Sequence, residues 1–225
     1  MPRPSQPILS RELICRTALN LLDRTGRFTV PELAQKLGVS VSSLYHHVAG
    51  RAEIVEGIRG LLAGRFAAIG DDVPWRVAVA GWARSYRDAF AAHPAAIPAL
   101  VAQTITDPTT LQQYGALAGT LTRAGFGPDA VVLAVTVLDN LCLGAALDVG
   151  APSVIWEESP GLESPLQTAL GRATLGPDRA ERGFELGLSL TIRGLAEILE
   201  RDGGQVAVDH HELLPGPDGR AVGDQ

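Results

Sequence analysis

The sequence is poor in cysteine and has no long uninterrupted apolar run. Only two of its 225 residues are cysteines, Cys15 and Cys142, which lie far apart and lack the paired spacing of metal ligands. The N-terminus has no apolar core of signal-peptide length, and the first long apolar stretch, residues 130–149, is interrupted by Asp139 and Asp148. These absences predict a reduced, cytoplasmic protein with neither a secretion signal nor a membrane-spanning segment.

Motifs of common enzyme chemistry are also missing. There is no phosphate-binding loop ending in Gly-Lys-Ser/Thr, no Gly-x-Ser-x-Gly turn for a nucleophilic serine and no cysteine pair for a metal. His211 and Glu212 begin like a zinc-protease motif, but Pro215 occupies the position of its second histidine. We therefore predict a protein that is not an enzyme and that uses no metal and no cofactor.

Charge is unevenly distributed along a chain whose formal net charge is −6. Up to residue 65 there are nine basic and five acidic residues, whereas the remainder has ten basic and twenty acidic residues. A head of net charge +4 therefore precedes a body of −10. Because basic surface attracts phosphate, this asymmetry predicts that only the N-terminal part contacts nucleic acid.

The N-terminal part begins with two sets of helix start and stop signals. Ser10 is placed to cap a first helix, and Gly26 is placed to end it. Thr29 and Glu32 have the spacing of a capping box, in which each side chain accepts a hydrogen bond from the other residue's backbone amide. The pattern predicts two helices separated by a short turn.

A second turn leads to a third predicted helix, residues 41–48. Gly38 permits the left-handed conformation that ends a helix, and Ser40 is placed to cap the next one. The polar face of the third helix consists of Ser42, Ser43, His46 and His47. Small hydroxyls and imidazoles without a carboxylate suit close approach to bases and phosphates. We predict a helix-turn-helix, with an ordinary helical hairpin inside a larger bundle as the alternative.

The run from Thr29 to Ser40, the segment Leu44-Tyr45-His46-His47-Val48 and Arg51 together resemble the TetR-family DNA-binding domain. The resemblance covers residues 9–62 closely and extends more weakly to residue 150. It implies that Tyr45, His47 and Arg51 contact phosphates, and that Val41, Ser42 and Ser43 approach bases. Thr29 and His46 complete the predicted DNA-binding set. Val30 and Pro31 replace a polar and basic pair of tetracycline repressors, which implies a different operator.

The rest of the chain has helical periodicity and almost no strand pattern. A fourth helix, residues 51–69, is predicted to join head and body without a flexible linker. The further helical segments are residues 75–93, 97–103, 107–124, 129–149 and 178–201. Residues 151–177 are expected to form a mobile connection with one helical turn near residues 166–170, and residues 203–225 a disordered tail.

Two helices of the body, residues 129–149 and 178–201, show more apolar surface than a monomer would cover. One seam of the second helix comprises Phe184, Leu188, Ile192, Leu195 and Leu199. By the family resemblance, these helices form a four-helix dimer interface, so a homodimer is predicted. The predicted domains are 1–50 for DNA binding, 51–202 for effector binding and dimerisation, and 203–225 for the tail.

A small-molecule site is predicted within the body. Aromatic residues recur at helical spacing on one face, and several polar residues lie within apolar segments. The candidate ligand-binding residues are Trp82, Tyr86, Phe90, His93, Gln103, Tyr114, Asp139 and Asn140. Such a set is typical of a pocket between the helices of a bundle, whereas an ordinary core with satisfied polar groups is the alternative.

The family resemblance does not extend to tetracycline specificity. Trp82 occupies the aligned position of an asparagine that binds tetracycline, Tyr86 retains only aromatic character, and histidine ligands for a magnesium ion have no match. The prediction is therefore a repressor that an apolar or aromatic, metal-free effector releases from double-stranded operator DNA. A dimeric regulator without an effector is the alternative, and a helical enzyme or carrier is a third class.

Overall fold

The computed structural model describes residues 9–70, 72–152, 155–156, 164–174, 176–201 and 203–205. Within these ranges the chain forms α-helices and two 3₁₀ turns but no strand, which confirms the predicted all-α fold. The helices are α1 (Arg11–Thr25), α2 (Val30–Leu37), α3 (Val41–Tyr45), α4 (Arg51–Ala63), α5 (Trp75–Ala91), α6 (Ile97–Val101), α7 (Pro108–Ala124), α8 (Pro128–Asp148), α9 (Pro165–Arg172) and α10 (Arg179–Arg201). The 3₁₀ turns are Pro94–Ala96 and Gly176–Asp178. The predictions for residues 206–225, including His211 and Glu212, lie outside the described ranges.

The signals that end and begin the first helices act as the sequence predicts. Ser10 accepts a hydrogen bond from the backbone amide of Leu13, and Gly26 closes α1 in the left-handed conformation. At the start of α2, the Thr29 amide donates to the Glu32 carboxylate while the Glu32 amide donates to the Thr29 hydroxyl. Each cap satisfies amides that would otherwise have no partner at a helix start.

α3 is shorter than the predicted residues 41–48. It ends at Tyr45, and the amides of His47 and Val48 both donate to the carbonyl of Leu44. The last turn is therefore tightened rather than extended. Leu44 and Val48 are still buried, so the inward face of the predicted helix is retained.

The body is a bundle with α8 at its centre. α8 packs against α5, α7 and α10. Its buried residues Ala134, Leu138 and Cys142 follow one another at four-residue steps, as expected for one face of a helix. By length and composition α8 would also qualify as a membrane span. The same composition is expected of the core helix of a bundle, and its contacts with three helices match that role.

The seam predicted on α10 for the dimer faces inward instead. Phe184, Leu188 and Leu195 are buried within the same protomer, and Ile192 and Leu199 are half-buried against the core. Assigning this seam to the dimer was wrong, because periodicity identifies an apolar stripe but not the surface that covers it. The apolar side chains of α8 and α10 that remain exposed are Val132, Leu133, Val137, Leu147, Leu186 and Leu190.

The described part of residues 151–177 contains more helix than the single predicted turn, whereas residues 153–154, 157–163 and 175 of the predicted mobile connection lie outside the described ranges. α9 spans two turns, and Ser164 caps it by accepting from the amide of Gln167. None of the α9 side chains is buried, and Leu166 is among the exposed apolar residues. The fourth helix shows the opposite difference, since α4 ends at Ala63 rather than near residue 69.

Candidate DNA-binding surface and effector site

The outward surface of the helix-turn-helix carries most of the predicted DNA-binding residues. Ser42, Tyr45, His46 and His47 are exposed, and the Tyr45 side chain retains 53% of its accessible surface. An aromatic residue that exposed contributes little to the core, so its position favours contact with another molecule. These four side chains lie within the six-residue segment 42–47.

The remaining predicted DNA-binding residues have local partners. Val41 is half-buried against the core, and the Ser43 hydroxyl lies 2.8 Å from the Ser40 hydroxyl. Thr29 is exposed, with its hydroxyl bonded to Glu32. Arg51 is exposed at the start of α4, where its guanidinium lies 5.1 Å from the centre of the Phe28 ring. Thr29 also caps α2, and the Ser43 amide donates to the Ser40 hydroxyl that caps α3.

In the body, the structure brings together five of the eight predicted ligand-binding residues. Trp82, Tyr86 and Phe90 project from successive turns of α5, and all three are buried. The Tyr86 and Phe90 rings stack with centres 4.7 Å apart, and Tyr114 from α7 approaches Trp82 at 5.7 Å. Asp139 from α8, whose contacts follow below, is the fifth member. These five residues, together with Phe66, are called the aromatic cluster below.

Phe66 belongs to the aromatic cluster but was not predicted. It follows α4 and lies within 4.7 Å of the Tyr86 ring centre and 5.7 Å of the Trp82 ring centre. Its phenyl group therefore connects the end of α4 to the interior of the body. In the sequence, apolar residues recur at helical spacing from Ile54 to Phe66, which indicates a buried side chain at this position but does not identify its neighbours.

Asp139 forms the polar end of the cluster. The Tyr86 hydroxyl donates to Asp139 Oδ1 at 2.7 Å, and the Tyr114 hydroxyl donates to the same oxygen. Burial, with the neighbouring Tyr114 and Asp139, raises the pKa of Tyr86, and burial together with Asp139 raises the pKa of Tyr114. Both hydroxyls therefore keep their protons at neutral pH and act as donors to the carboxylate.

Three predicted ligand-binding residues lie outside this cluster. His93 follows the end of α5, where its Nδ1 is 2.8 Å from Asp23 of α1 and its Nε2 is 3.2 Å from Arg65. Gln103 lines an open cleft of about 680 Å³ between the head and the body. Asn140 is exposed on α8. His93 and Gln103 thus lie at the junction with the head, and Asn140 lies on the outer surface.

A buried ion pair on α4 holds the loop between α6 and α7. Arg59 Nε donates to Glu56 at 2.9 Å, and the two side chains are only 7% and 8% exposed. Arg59 Nη2 also donates to the Leu100 carbonyl, while Glu56 Oε2 accepts from the amides of Thr106 and Asp107 at 2.6 and 3.0 Å. We call this arrangement the Glu56–Arg59 clamp.

The hydrogen bonds of the clamp decide the charge state of Glu56. Burial alone would raise the pKa of this carboxyl, but the Thr106 amide, Arg59 and the Asp107 amide together lower its pKa below the usual value. Glu56 is therefore ionised at neutral pH, and each of its oxygens has at least one donor. Sequence analysis missed the clamp because a Glu and an Arg three residues apart on a helix are usually an exposed pair.

Two glycines let α4 approach both the head and the body closely. A Cβ atom at Gly57 would lie 2.3 Å from Cys15 Sγ of α1, and one at Gly60 would lie 2.5 Å from the Asp107 carboxylate. Both distances are shorter than van der Waals contact allows, so a larger side chain would separate the elements. The middle of α4 is consequently packed against α1 of the head on one side and the start of α7 on the other.

The two cysteines are free and buried, and burial raises the pKa of Cys15 to about 11 and of Cys142 to about 12. Both are therefore thiols at neutral pH, which disfavours nucleophilic or metal-binding roles. In the part of the chain that the structure describes, no group of three His, Cys, Asp or Glu side chains is placed to hold a metal ion.

Comparisons with known proteins agree with this architecture. A family model described as "Tetracyclin repressor-like, C-terminal domain" matches residues 70–199. The tetracycline repressor protein class A from transposon 1721 of Escherichia coli is 29% identical over 201 residues, covering 84% of this chain and 91% of the repressor. An HTH-type transcriptional regulator from Saccharopolyspora erythraea is 26% identical over 204 residues, covering 85% of this chain and 86% of that regulator.

A solved structure shows the same fold. The crystal structure of a possible TetR family transcriptional regulator from Streptomyces coelicolor A3(2) has a TM-score of 0.64 and 26% sequence identity, covering 84% of this chain and all of that one. The family model spans more than half of the chain, and the relatives align with both its head and its body. The chain therefore belongs to the tetracycline-repressor-like (TetR) family of transcriptional regulators.

Proposed function

We propose that this regulator is a cytoplasmic homodimeric repressor that binds operator DNA through α3 and releases it when a small apolar or aromatic effector binds the body. The observation that carries the proposal is the double attachment of α4. Its start belongs to the DNA-binding head, and its middle is held to the α6–α7 loop by the Glu56–Arg59 clamp. A change in the body therefore has a direct route to the recognition helix.

The division of labour follows these contacts. We assign DNA binding to residues 1–50 and effector binding and dimerisation to residues 51–202, with residues 203–225 as a tail. Because Gly57 in the middle of α4 packs closely against Cys15 of α1, we propose that the first half of α4 moves with the head, although it belongs to the second unit by sequence. α4 is thus the element shared by the two units. No enzymatic step is assigned to either one.

DNA binding is supported by the exposed side chains of the helix-turn-helix. We assign phosphate contacts to the exposed side chains of Tyr45, His47 and Arg51, and base contacts to Ser42 and Ser43 at the start of the helix that would enter the major groove. The described surface of α3 itself bears no carboxylate that would repel DNA. A basic head on an acidic body favours the same orientation toward a duplex.

Replacing Tyr45 by alanine is expected to weaken binding to all DNA sequences by a similar factor, because a phosphate contact positions the protein without reading bases. Ser43→Ala should instead reduce discrimination between operator variants. That effect should fall below the roughly 1–3 kcal/mol of a bidentate base contact, since one hydroxyl is involved and it is shared with Ser40. Fluorescence anisotropy with a panel of selected operator variants measures both effects, and Tyr45→Phe separates the hydroxyl from the ring. Unchanged affinities for both alanine variants would remove α3 from the interface.

Homodimerisation is supported by the uncovered apolar faces of α8 and α10. Val132, Val137, Leu186 and Leu190 are exposed on the two helices, which pack against each other within the protomer. A second copy related by two-fold symmetry would cover both faces in a four-helix arrangement. It would also set the two recognition helices about 34–36 Å apart, one turn of DNA, as a palindromic operator requires.

The aromatic cluster is the proposed effector site, because it combines large apolar rings with a few polar groups between three helices. Phe66 connects this cluster to the end of α4, and the Glu56–Arg59 clamp connects α4 to the loop before α7, the helix that carries Tyr114. The alternative, a dimeric regulator without an effector, is favoured by the close mutual packing of the rings. Mass spectrometry of small molecules retained by the purified protein after incubation with cell extract separates the two.

An effector that weakens operator binding must itself bind more weakly when operator DNA is bound. Couplings between two sites are typically about 5- to 150-fold, and the factor is the same in both directions. We expect calorimetric titration of the retained molecule to give a weaker affinity in the presence of saturating operator DNA, by the factor with which the molecule weakens operator binding. Equal affinities with and without DNA would contradict the release mechanism, even for a molecule that binds the aromatic cluster.

A further inference from the structure

The Asp139 carboxylate has no ion-pair partner in the part of the chain that the structure describes. Its Oδ1 atom receives the two tyrosine hydroxyls, and within the described residues no Lys, Arg or His nitrogen lies within ion-pair distance of its carboxylate. The guanidinium groups of Arg59 and Arg87 already pair with Glu56 and Glu181, respectively. A half-buried carboxylate held only by two neutral donors is an unfavourable arrangement unless a positive partner arrives.

The surroundings of Asp139 also suit a cation. The faces of aromatic rings attract positive charge, and the cluster supplies indole, phenol and phenyl rings within 4.7–6.4 Å of one another. Trp82 adds a buried indole N–H that has no hydrogen-bond acceptor in the structure. Buried donors are normally satisfied, so this one favours a ligand that also carries an acceptor atom.

The polar end of the cluster is more exposed than its aromatic part. Trp82, Tyr86 and Phe90 are fully enclosed, whereas Tyr114 on α7 and Asp139 on α8 are partly exposed. A ligand that enters between these helices would meet the carboxylate first and the rings behind it. The order matches a molecule with a charged group on an apolar body.

We propose that the effector is an organic cation whose positive group lies against Asp139 and whose apolar body lies on the aromatic cluster. This proposal rests on the assignment of the cluster as the effector site and specifies the charge of what it binds. A neutral aromatic effector would leave the Asp139 carboxylate without a counter-charge. An anionic effector would place two negative groups side by side.

Two ions of the same shape and opposite charge test the proposal. Tetraphenylphosphonium and tetraphenylborate are each titrated calorimetrically into the full chain, with benzyltrimethylammonium as a smaller cation. We expect both cations to bind, and tetraphenylborate to bind at least about tenfold more weakly than tetraphenylphosphonium. Asp139→Asn keeps an acceptor for the tyrosine hydroxyls but removes the charge, and it should weaken cation binding by about tenfold or more. Asp129→Asn removes an exposed charge from the first turn of the same helix and should leave cation binding unchanged.

Each other outcome has a defined meaning. Equal binding of phosphonium and borate, an unaltered affinity in the folded Asp139→Asn protein, or no binding of either cation overturns the proposal. Thermal unfolding followed by circular dichroism shows whether the variant is folded. Operator affinity with saturating phosphonium is measured separately. Cation binding that depends on Asp139 but leaves DNA binding unchanged would retain the charge assignment and reject effector release. If neutral 1-naphthol but neither cation released the protein from operator DNA, effector release would be retained and the charge assignment rejected.

Discussion

Leu190→Glu is expected to convert the dimer into a monomer that binds operator DNA weakly. Leu190 lies on the outer face of α10 and is 54% exposed in the protomer, so the substitution should leave the protomer core intact. In the dimer, burial of a leucine contributes about 1.5–3 kcal/mol to the free energy of association. Because the interface is two-fold symmetric, each substitution is present in it twice. An unpaired glutamate in the same place adds the cost of burying a charge. The two recognition helices then lose their linkage, and with it the gain from binding two half-sites together.

Sedimentation velocity at micromolar concentration measures the oligomeric state, and anisotropy with a palindromic operator measures DNA binding. Leu111→Glu is the matched control, because Leu111 is 51% exposed but lies on α7, a helix that the proposed interface does not include. It should remain dimeric. A dimeric Leu190→Glu protein, or monomeric native protein at the same concentration, would show that α8 and α10 do not form the proposed interface.

Arg59→Met is expected to destabilise the protein strongly, because it leaves the Glu56 carboxylate buried without its cation. Removing one partner of a buried ion pair typically costs about 3–5 kcal/mol, and the amides of Thr106 and Asp107 should keep this loss toward the lower value. The free energy of unfolding from urea denaturation measures it. Arg11→Met breaks a pair with Glu53 in which the side chains are 45% and 37% exposed, so it should cost less than about 1 kcal/mol.

The double variant Glu56→Gln/Arg59→Met tests whether the Glu56–Arg59 clamp also transmits the effector signal. It removes both charges but keeps an acceptor for the loop amides, so it should recover much of the stability lost by Arg59→Met. Its α6 is no longer tied to α4 by Arg59, which donates to the Leu100 carbonyl in the native protein. We therefore expect operator binding to persist and effector-induced release to diminish. If the effector still released this variant fully from operator DNA, we would assign the coupling between effector site and DNA-binding head to the Phe66 contacts instead.

Local signals predicted the head well because each of them acts within a few residues. The capping box at Thr29 and the left-handed Gly38 depend only on backbone geometry and adjacent side chains, so the sequence specifies them directly. α3 ends early because the amides of His47 and Val48 share the Leu44 carbonyl. That choice between two turn geometries has no strong sequence signal.

The body was predicted less completely because its contacts depend on the arrangement of helices. Trp82, Tyr86 and Phe90 share one face of α5 at four-residue steps, and this spacing made their proximity predictable. His93 does not continue the series, because α5 ends at Ala91 and the backbone leaves the helix. Asn140 is next to Asp139 in sequence, but one residue turns a helix by about 100°, which places it on the outer surface.

The length of α4 converts a small tilt of the helix into a larger displacement of its far end. A helix of 13 residues is about 20 Å long, so a tilt of about 10° about one end displaces the other by roughly 3 Å. This displacement is comparable to the rise of about 3.4 Å per base along a DNA strand. In a two-fold dimer the heads would move in opposite directions, and the spacing of the recognition helices could change by nearly two base pairs. A body rearrangement too small to disrupt its own core would then suffice to put both heads out of register with a rigid duplex.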